Sequence, residues 1–579
     1  MNRFSFKYTL LCQRTSEERT FGRLMTKEFG IPEPVGELLH SRGITTLDQA
    51  QEFLYPHLSM LPSPDRMKDM DKAVTCIINA CNEQQPIFIH GDYDVDGISA
   101  TALLISFFTE IGQRAYYYIP NRLKEAYGLS FASIDRLLAQ CPGQGGVLIS
   151  VDCGITAVEE VEYARHQGLR VVITDHHEAP EQLPLADAIL NPKQPGCTFP
   201  CSFLSGVGVA FFLLIALRRA MGLSLNLKKY LDFVALGTVA DVVPLQGVNR
   251  ILVRSGLEVI SSKHRLGVDF LCRKSGLTGR EALSEDISFR LAPRMNAGGR
   301  LGNPSKGVEL LLAETATNAQ MLAEQLETMN LARKQLEASA LAVLQENYQE
   351  QLSAQSSSII LYHPDCHVGV LGILASRLVD RCGRPVLVFS DDVQNASVLR
   401  GSGRSIQGIN LYHVLEECAA SIEQFGGHAM AVGLSVRREN LSQFKRDFDE
   451  QIKRMILMIE NRVHTTVDYF LPNANMLSTS FANALQMMQP FGEGNHEPCL
   501  LLAEQHLLRT RSRNGHLLFQ LQGGEGVLPG IGFNLAEEFF DCPQRANLIF
   551  HLKRSWFKGV ERTQIQALEL HRPDRDSST

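Results

Sequence analysis

Two periods alternate along the first third of the chain. Continuous apolar runs, PIFI (86–89), GVLISV (146–151) and LRVVIT (169–174), are separated by ISATALLISFFTEIG (98–112), SFASIDRLLAQC (130–141) and AVEEVEYARHQG (157–168), which read as helices. Strands without polar alternation are buried on both faces, so strand–helix repetition predicts a parallel sheet covered on both sides. A helix-rich stretch follows from about 206 to 260. Between 305 and 352 Leu322, Leu326, Met329, Leu336 and Leu344 form a helical stripe, predicting one or two long helices that join two halves. A second α/β unit, SSIILYH, GVLGILASRLVDRCG and PVLVFS, extends to about 460. Beyond it LLLAEQHLLRTRSRNGHLLFQLQGG (500–524) and RANLIFHLKRSWFKG (545–559) read as strands of a small barrel. The expected class is therefore α/β: a helical brace (1–80), a first lobe (81–305), connecting helices (306–352), a second lobe (353–460) and a β-barrel (461–579), the lobes lying around a cleft.

Composition narrows this little. The 579 residues, 44% apolar and 21% charged, are those of an ordinary multidomain globular protein. The longest apolar run, VGVAFFLLIAL (207–217), falls short of the roughly 20 residues of a membrane span. No export signal is evident in MNRFSFKYTLLCQRTSEER, and the 13 cysteines are scattered without a disulfide framework, so a cytoplasmic location and no membrane partner are expected. The net charge of −7 excludes a uniformly basic coat while permitting a local basic groove.

The chemistry lies at the ends of the apolar runs. HGDYDVDG (90–97) places Asp92, Asp94 and Asp96 after the first strand, Asp152 ends VLISVD, and Asp175, His176 and His177 end VVITDHH. In an open parallel sheet, residues just past the carboxyl ends of the strands converge on one crevice. A crowd of carboxylates repels itself unless cations intervene, and carboxylate with imidazole, without thiolates, suits Mn²⁺ or Mg²⁺ better than Zn²⁺. Asp241, an isolated charge in FVALGTVADVVPL, is a fourth candidate, whereas Cys153 reads as a small buried neighbour of Asp152.

In order, HGDYDVDG, VDCGI, TDHH and LGTVADVVPL resemble the four motifs of the DHH phosphoesterase superfamily. RMNAGGRLG (294–302), HVGVLGILASRL (367–378), RGSGRS (400–405), GGHAMAVGL (426–434) and PFGEGNHEP (490–498) are similar to segments of its RecJ-type exonuclease family over nearly the whole length. The resemblance implies DHH, DHHA1 and OB-fold domains and a two-ion centre using Mn²⁺ or Mg²⁺. Asp94 and Asp152 would bind one ion with His90 or Asp92; Asp96, Asp152, His176 and Asp241 would bind the other. Asp175 would orient a ligand, and His177 would face the substrate phosphate or assist proton transfer. It further implies 5′→3′ hydrolysis of single-stranded DNA to mononucleotides in recombination and repair, with a single-strand-binding protein and a helicase as partners. A small-molecule or oligoribonucleotide phosphoesterase and a non-catalytic scaffold are the alternatives.

Substrate selection needs residues outside these motifs. Arg294, Asn296 and Arg300 around a glycine turn, and Arg400, Ser402, Arg404 and Ser405 on a flexible glycine-rich segment, are suited to a phosphate monoester, which the resemblance implies is a 5′-terminal phosphate. The resemblance of GGH (426–428) to the glycine–histidine motif of the accessory domain implies that His428 reaches a phosphate across the cleft. In the barrel, Arg509, Arg511, Arg513, Lys553, Arg554 and Lys558 interspersed with Phe519, Trp556 and Phe557 suit single-strand binding. Tyr116, Tyr117 and Tyr118 are expected in strand and core.

Overall fold

In the computed structural model, which describes residues 9–10, 14–125, 128–143, 145–392, 395–458, 466–540, 545–557 and 560–571, the apolar runs form an all-parallel five-stranded sheet. Its strands are β1 (Ile87–Gly91), β2 (Ala115–Tyr118), β3 (Gly146–Val151), β4 (Leu169–Thr174) and β5 (Ala188–Leu190), in spatial order β2-β1-β3-β4-β5. Alternate side chains enter two cores, as the period of two requires. Ile87, Ile89, Val147, Ile149 and Val172 pack with helices α1 (Val95–Glu110), α2 (Gly206–Ala220) and α3 (Leu231–Ala240); Phe88, Leu148, Val171 and Ile173 pack with Ile134, Leu137 and Val161 on the other face. The motif-bearing strands β1, β3 and β4 are thus immediate neighbours. Tyr116, Tyr117 and Tyr118 lie half-buried on the edge strand β2.

Helix α4 (Ala292–Arg300) leads toward the single 38-residue helix α5 (Ala316–Ser353). At 1.5 Å per residue, α5 spans roughly 57 Å. Its first half places Ala319, Leu322, Ala323 and Leu326 in the first core; its second half gives Ala340, Leu344 and Tyr348 to the second lobe. That lobe is a mixed sheet of β6 (Ile359–Tyr362), β7 (Val386–Asp391), β8 (Val398–Arg404), β9 (Gln424–Gly427) and β10 (Ala431–Arg437), ordered β9-β10-β8-β7-β6, with helix α6 (Leu371–Cys382) packed on it.

Two expectations about glycine are overturned. RMNAGGRLG is not a turn: Gly298 and Gly299 lie within α4, where a Cβ would meet the carbonyl oxygens of Asn303 and Tyr93, each at 2.7 Å. RGSGRS is not flexible: it belongs to β8, where Gly401 and Gly403 sit opposite Phe389 and Leu387. A Cβ there would lie 2.4 Å from Phe389 Cε1 and 2.5 Å from Leu387 Cδ2. Both glycine pairs let neighbours approach closely.

The C-terminal region forms a seven-stranded sheet between Tyr469 and His571. Its core of Leu500, Leu517, Phe519, Leu548, Phe550 and Ile565 also receives Phe21, Met25, Leu38 and Leu39 from helices Ser16–Phe29 and Glu33–Ser41. The N-terminal helices therefore brace the barrel. Phe519, expected to stack on bases, is core; Lys553 is tied to Glu285 (2.7 Å) and Glu497 (2.5 Å), and Arg554 is paired with Glu561. Arg509, Arg511 and Arg513 are exposed on the sheet's outer strand. Lys558 lies outside the described residues. Among the described residues no helix is long and apolar enough to cross a membrane.

Arg250 fastens this terminal unit to the first lobe. Buried in helix Gly247–Ser261, it donates to the carbonyls of Phe53 (2.8 Å), Met488 (2.9 Å) and Gln489 (2.7 Å), its guanidinium 3.7 Å from the Phe53 ring centroid. Arg250→Ala removes the donor of the Phe53 carbonyl and the cation on the Phe53 ring, while Met488 keeps Asn495 Nδ2 (2.8 Å) and Gln489 keeps Arg254 (3.2 Å). A loss of about 3 kcal/mol is expected, read as a lower melting temperature and faster proteolysis around residues 487–490; an unchanged melting curve would contradict the role.

Candidate metal centre

The three motifs meet because β1, β3 and β4 end side by side. Asp94 caps α1, its Oδ1 accepting the N–H groups of Asp96 (3.0 Å) and Gly97 (3.1 Å), which fixes the turn from which Asp92 and Asp96 project inward. Asp96 is held from the opposite side: the N–H groups of Gly206 and Val207 at the start of α2 donate to Oδ2 (2.6 Å) and Oδ1 (3.0 Å). Asp152 has φ 61°, an unusual conformation for a non-glycine residue, and its Oδ1 lies 3.0 Å from His176 Nε2. Asp241, at the end of α3, approaches the same nitrogen at 3.5 Å.

Three sets of potential ligand atoms result, each within 4.8 Å mutually: Asp92, Asp94 and Asp152; Asp96, His176 and Asp241; Asp152, His176 and His177. Asp152 joins the first set to the third, and His176 joins the third to the second. His90 is in none of them; it is buried, with Nδ1 3.7 Å from Cys153 Sγ. Asp175 accepts N–H groups from Ile155 (2.9 Å) and His176 (2.7 Å), and its Oδ1 lies 2.7 Å from His177 Nδ1, so it fixes the pose of both histidines.

The electrostatics show what the cluster lacks. Burial, then the charges of neighbouring carboxylates, push Asp92 and Asp152 well up, Asp96 to about 7 and Asp241 to about 9. Burial drives His90 down to about 4 and His176 to about 3, leaving both neutral and able to act as ligands. Burial also opposes ionisation of Asp175, but the hydrogen bond and charge of His177 with the backbone donors outweigh it and hold Asp175 low. Reciprocally, Asp175 raises His177 against its own burial. His90 Nε2 and Asp92 Oδ1 are buried without a hydrogen-bond partner among the described residues. Hard oxygen donors, neutral imidazoles and excess buried negative charge fit divalent cations of the Mn²⁺ or Mg²⁺ type. The packing is cut to this shape: a Cβ on Gly206 would lie 2.7 Å from Asp152 Cβ, and one on Gly237 would lie 2.4 Å from Asp96 Oδ1.

Opposite charge gathers nearby. Arg300 is lowered to about 10 by burial and by the adjacent cations Arg122, Arg333 and Arg404. Burial and Arg122 likewise lower Arg404, which donates to the Gly403 carbonyl (2.7 Å) and Ser402 Oγ (3.3 Å). Among the described residues no carboxylate forms an ion pair with Arg122, Arg300 or Arg404, and Glu337 approaches Arg333 only to 3.9 Å, so this cluster has the charge and donors for an anion such as phosphate. Asn296, Arg300 and Arg333 line a cavity of about 180 Å³. Arg294 does not join them; its guanidinium pairs with Glu327 and donates to the Arg290 carbonyl (2.6 Å), fastening α4 to α5. His428 is exposed in the β9–β10 turn, and Arg400 is paired with Asp392 at 2.7 Å. Sequence reasoning missed Arg122 and Arg333. Arg122 stands just past the end of β2, where the strand-end rule that selected Asp152 also applies; Arg333 looks like any polar residue of a long helix.

Comparisons with known proteins agree with this architecture. Residues 86–238 match the DHH family N-terminal domain, 355–454 the DHHA1 domain and 467–569 the RecJ OB domain. The single-stranded-DNA-specific exonuclease RecJ of Haemophilus influenzae is 36% identical over 534 residues, covering 88% of this chain and 91% of that protein. Crystal structures of Thermus thermophilus RecJ cover 98% of this chain. The Mn²⁺ complex has TM-score 0.82 and 27% identity over 80% of that chain; the Mg²⁺ complex has 0.76 and 26% over 78%.

The raised carboxyls set a pH dependence. Asp96 and Asp241 bind protons more tightly folded than unfolded, so their stabilising contribution is complete below about pH 4 and is lost as pH rises through about 7 and about 9. The metal-free protein is therefore expected to melt at progressively lower temperature from pH 6 to pH 9, and added MnCl₂ to raise the melting temperature more at pH 9 than at pH 6. Melting scans with and without EDTA measure this; an Mn²⁺ shift independent of pH would contradict it.

Proposed function

This chain belongs to the RecJ family, and from that premise we propose that it is a single-stranded-DNA-specific exonuclease that hydrolyses phosphodiester bonds from the 5′ end and releases mononucleotides. The observation that carries this is the juxtaposition of an acid–histidine cluster with a cluster of arginines. One suits the scissile phosphate, the other a terminal phosphate.

Asp92, Asp94 and Asp152 would hold one divalent ion, and Asp96, Asp152, His176 and Asp241 the second, with His90 the alternative to Asp92. Two such ions supply water activation and stabilise the leaving oxygen in an in-line displacement. Asp175 holds His177 with Nδ1 engaged, so the other ring nitrogen is the one that would meet the substrate phosphate or carry a proton. Arg300, Ser402 and Arg404, with Arg122 and Arg333, would grip the 5′-terminal phosphate, which sets polarity by allowing only an end to seat. Asn296 and His428 would contact the strand beside it. The lobes 81–305 and 353–460, linked by 306–352, would enclose a channel sized for one strand, with 461–579 holding the incoming DNA and 1–80 bracing it. A cytoplasmic role in repair and recombination, beside a single-strand-binding protein and a helicase, completes the reading.

Two variants test it. Asp152→Asn should cut Mn²⁺-dependent degradation of a labelled single strand roughly a hundredfold or more, the upper range for even indirect partners of metal ligands, while raising the melting temperature of the metal-free protein by removing a buried charge. Arg404→Ala should reduce the preference for 5′-phosphorylated over 5′-hydroxyl strands about tenfold, the worth of one charged hydrogen bond. Product ladders from 5′- and 3′-labelled strands read both. Undiminished cleavage by Asp152→Asn, or a wild-type preference for pyrophosphate over long strands, would contradict the proposal.

A further inference from the structure

A large aromatic side chain stands in solvent between the two units that would handle DNA. Phe289 is 80% exposed. It lies in a π-helical turn, Ile287–Leu291, that leads into α4; the turn buries Ile287 and Leu291 while turning Phe289 outward. Such turns re-aim side chains and recur at functional sites.

Its surroundings give the direction of use. On one side Phe289 lines a cavity of about 360 Å³ with Phe491, His496, Lys553 and Arg554 of the C-terminal unit. On the other side lies the cavity of about 180 Å³ formed by Val242, Asn296, Arg300 and Arg333. Ser288 lines both. The Ser288–Phe289 turn is thus the ridge between the barrel side and the catalytic side. Val242, at the catalytic end, is 63% exposed and follows Asp241 directly; at φ 60° it has a backbone conformation that is a genuine outlier for a β-branched residue. Two exposed apolar side chains therefore flank walls that carry Arg300 and Arg333 on one side and His496 on the other, where Lys553 is neutralised by Glu285 and Glu497.

We propose that Phe289 is a base-stacking residue that selects single strands, with Val242 giving apolar support nearer the cluster. This rests on the DNA reading above and goes beyond it by naming the residue that senses unpaired bases. An aromatic face stacks on any base and so carries no sequence preference, as an exonuclease requires. In a duplex both faces of each internal base are already covered by neighbours, and Phe289 finds no partner. The arginines bind phosphate in either form of DNA, so they cannot make this distinction.

The test uses the full-length protein in EDTA and 5′-phosphorylated strands carrying 2-aminopurine at successive positions. One or two adjacent positions should be quenched on binding. Phe289→Ala should abolish that quenching and weaken single-strand affinity about tenfold, within the range for one stacked base, while duplex affinity stays the same. Phe289→Trp should restore both. A quenching profile and single-strand affinity unchanged in Phe289→Ala, or an equal loss for duplex, would overturn the assignment. Failure of the folded wild-type protein to bind single strands at all would overturn the DNA reading, and the assignment with it. Matching melting curves for the variants confirm that the comparison is between folded proteins, as expected for so exposed a position.

Discussion

Mutual repulsion among buried carboxylates is the constraint around which the catalytic side is built. Asp92, Asp96 and Asp152 are buried and Asp241 is half-buried beside them, and burial together with their neighbours' charge holds all four above the ordinary range. A fold selected for stability alone would not collect them. The scaffold tolerates them because their positions are imposed by strong local elements: strand ends in a sheet buried on both faces, the cap of α1, and the N–H groups of α2 that grip Asp96. Stability is given up at the cluster and recovered when cations arrive, as function-bearing sites generally require.

The second constraint is the complement of the first. Arg122, Arg300, Arg333 and Arg404 come from four separate segments, and burial with the neighbouring cations lowers Arg300 and Arg404, so the cluster favours an anion. The long helix α5 makes this possible, because one rigid element belongs to both lobes and sets their spacing. Just past its middle Glu337 pairs with Arg377 of α6, so buried charge also registers helix against lobe. A phosphate chain would be drawn to the arginines directly and to the carboxylate cluster only through bound cations.

What could be read from the sequence divides along the same line. The apolar runs, the acids at their ends and Asp241 were legible, because a strand of period two and its terminal residue are local facts. The family motifs extended that reading to the barrel. The glycines of RMNAGGRLG and RGSGRS misled, because flexibility and close packing look alike in a sequence. Only the positions of Asn303, Tyr93, Phe389 and Leu387 reveal that these glycines admit neighbours. Arg294 and Phe519 differ from expectation for the same reason: their partners, Glu327 and the barrel core, are brought to them only by the fold. Arg333 and Phe289 could be found only once burial and cavity walls were known.

The chemistry of this chain depends on the strand-end cluster being a paired cation site. Calorimetric titration of the metal-free protein with Mn²⁺ in buffers of different ionisation enthalpy tests it most directly. The prediction is two ions per chain bound with net proton release, and a loss of at least one ion in Asp152→Asn. Binding of a single ion, or two ions bound without proton release and unaffected by Asp152→Asn, would contradict it.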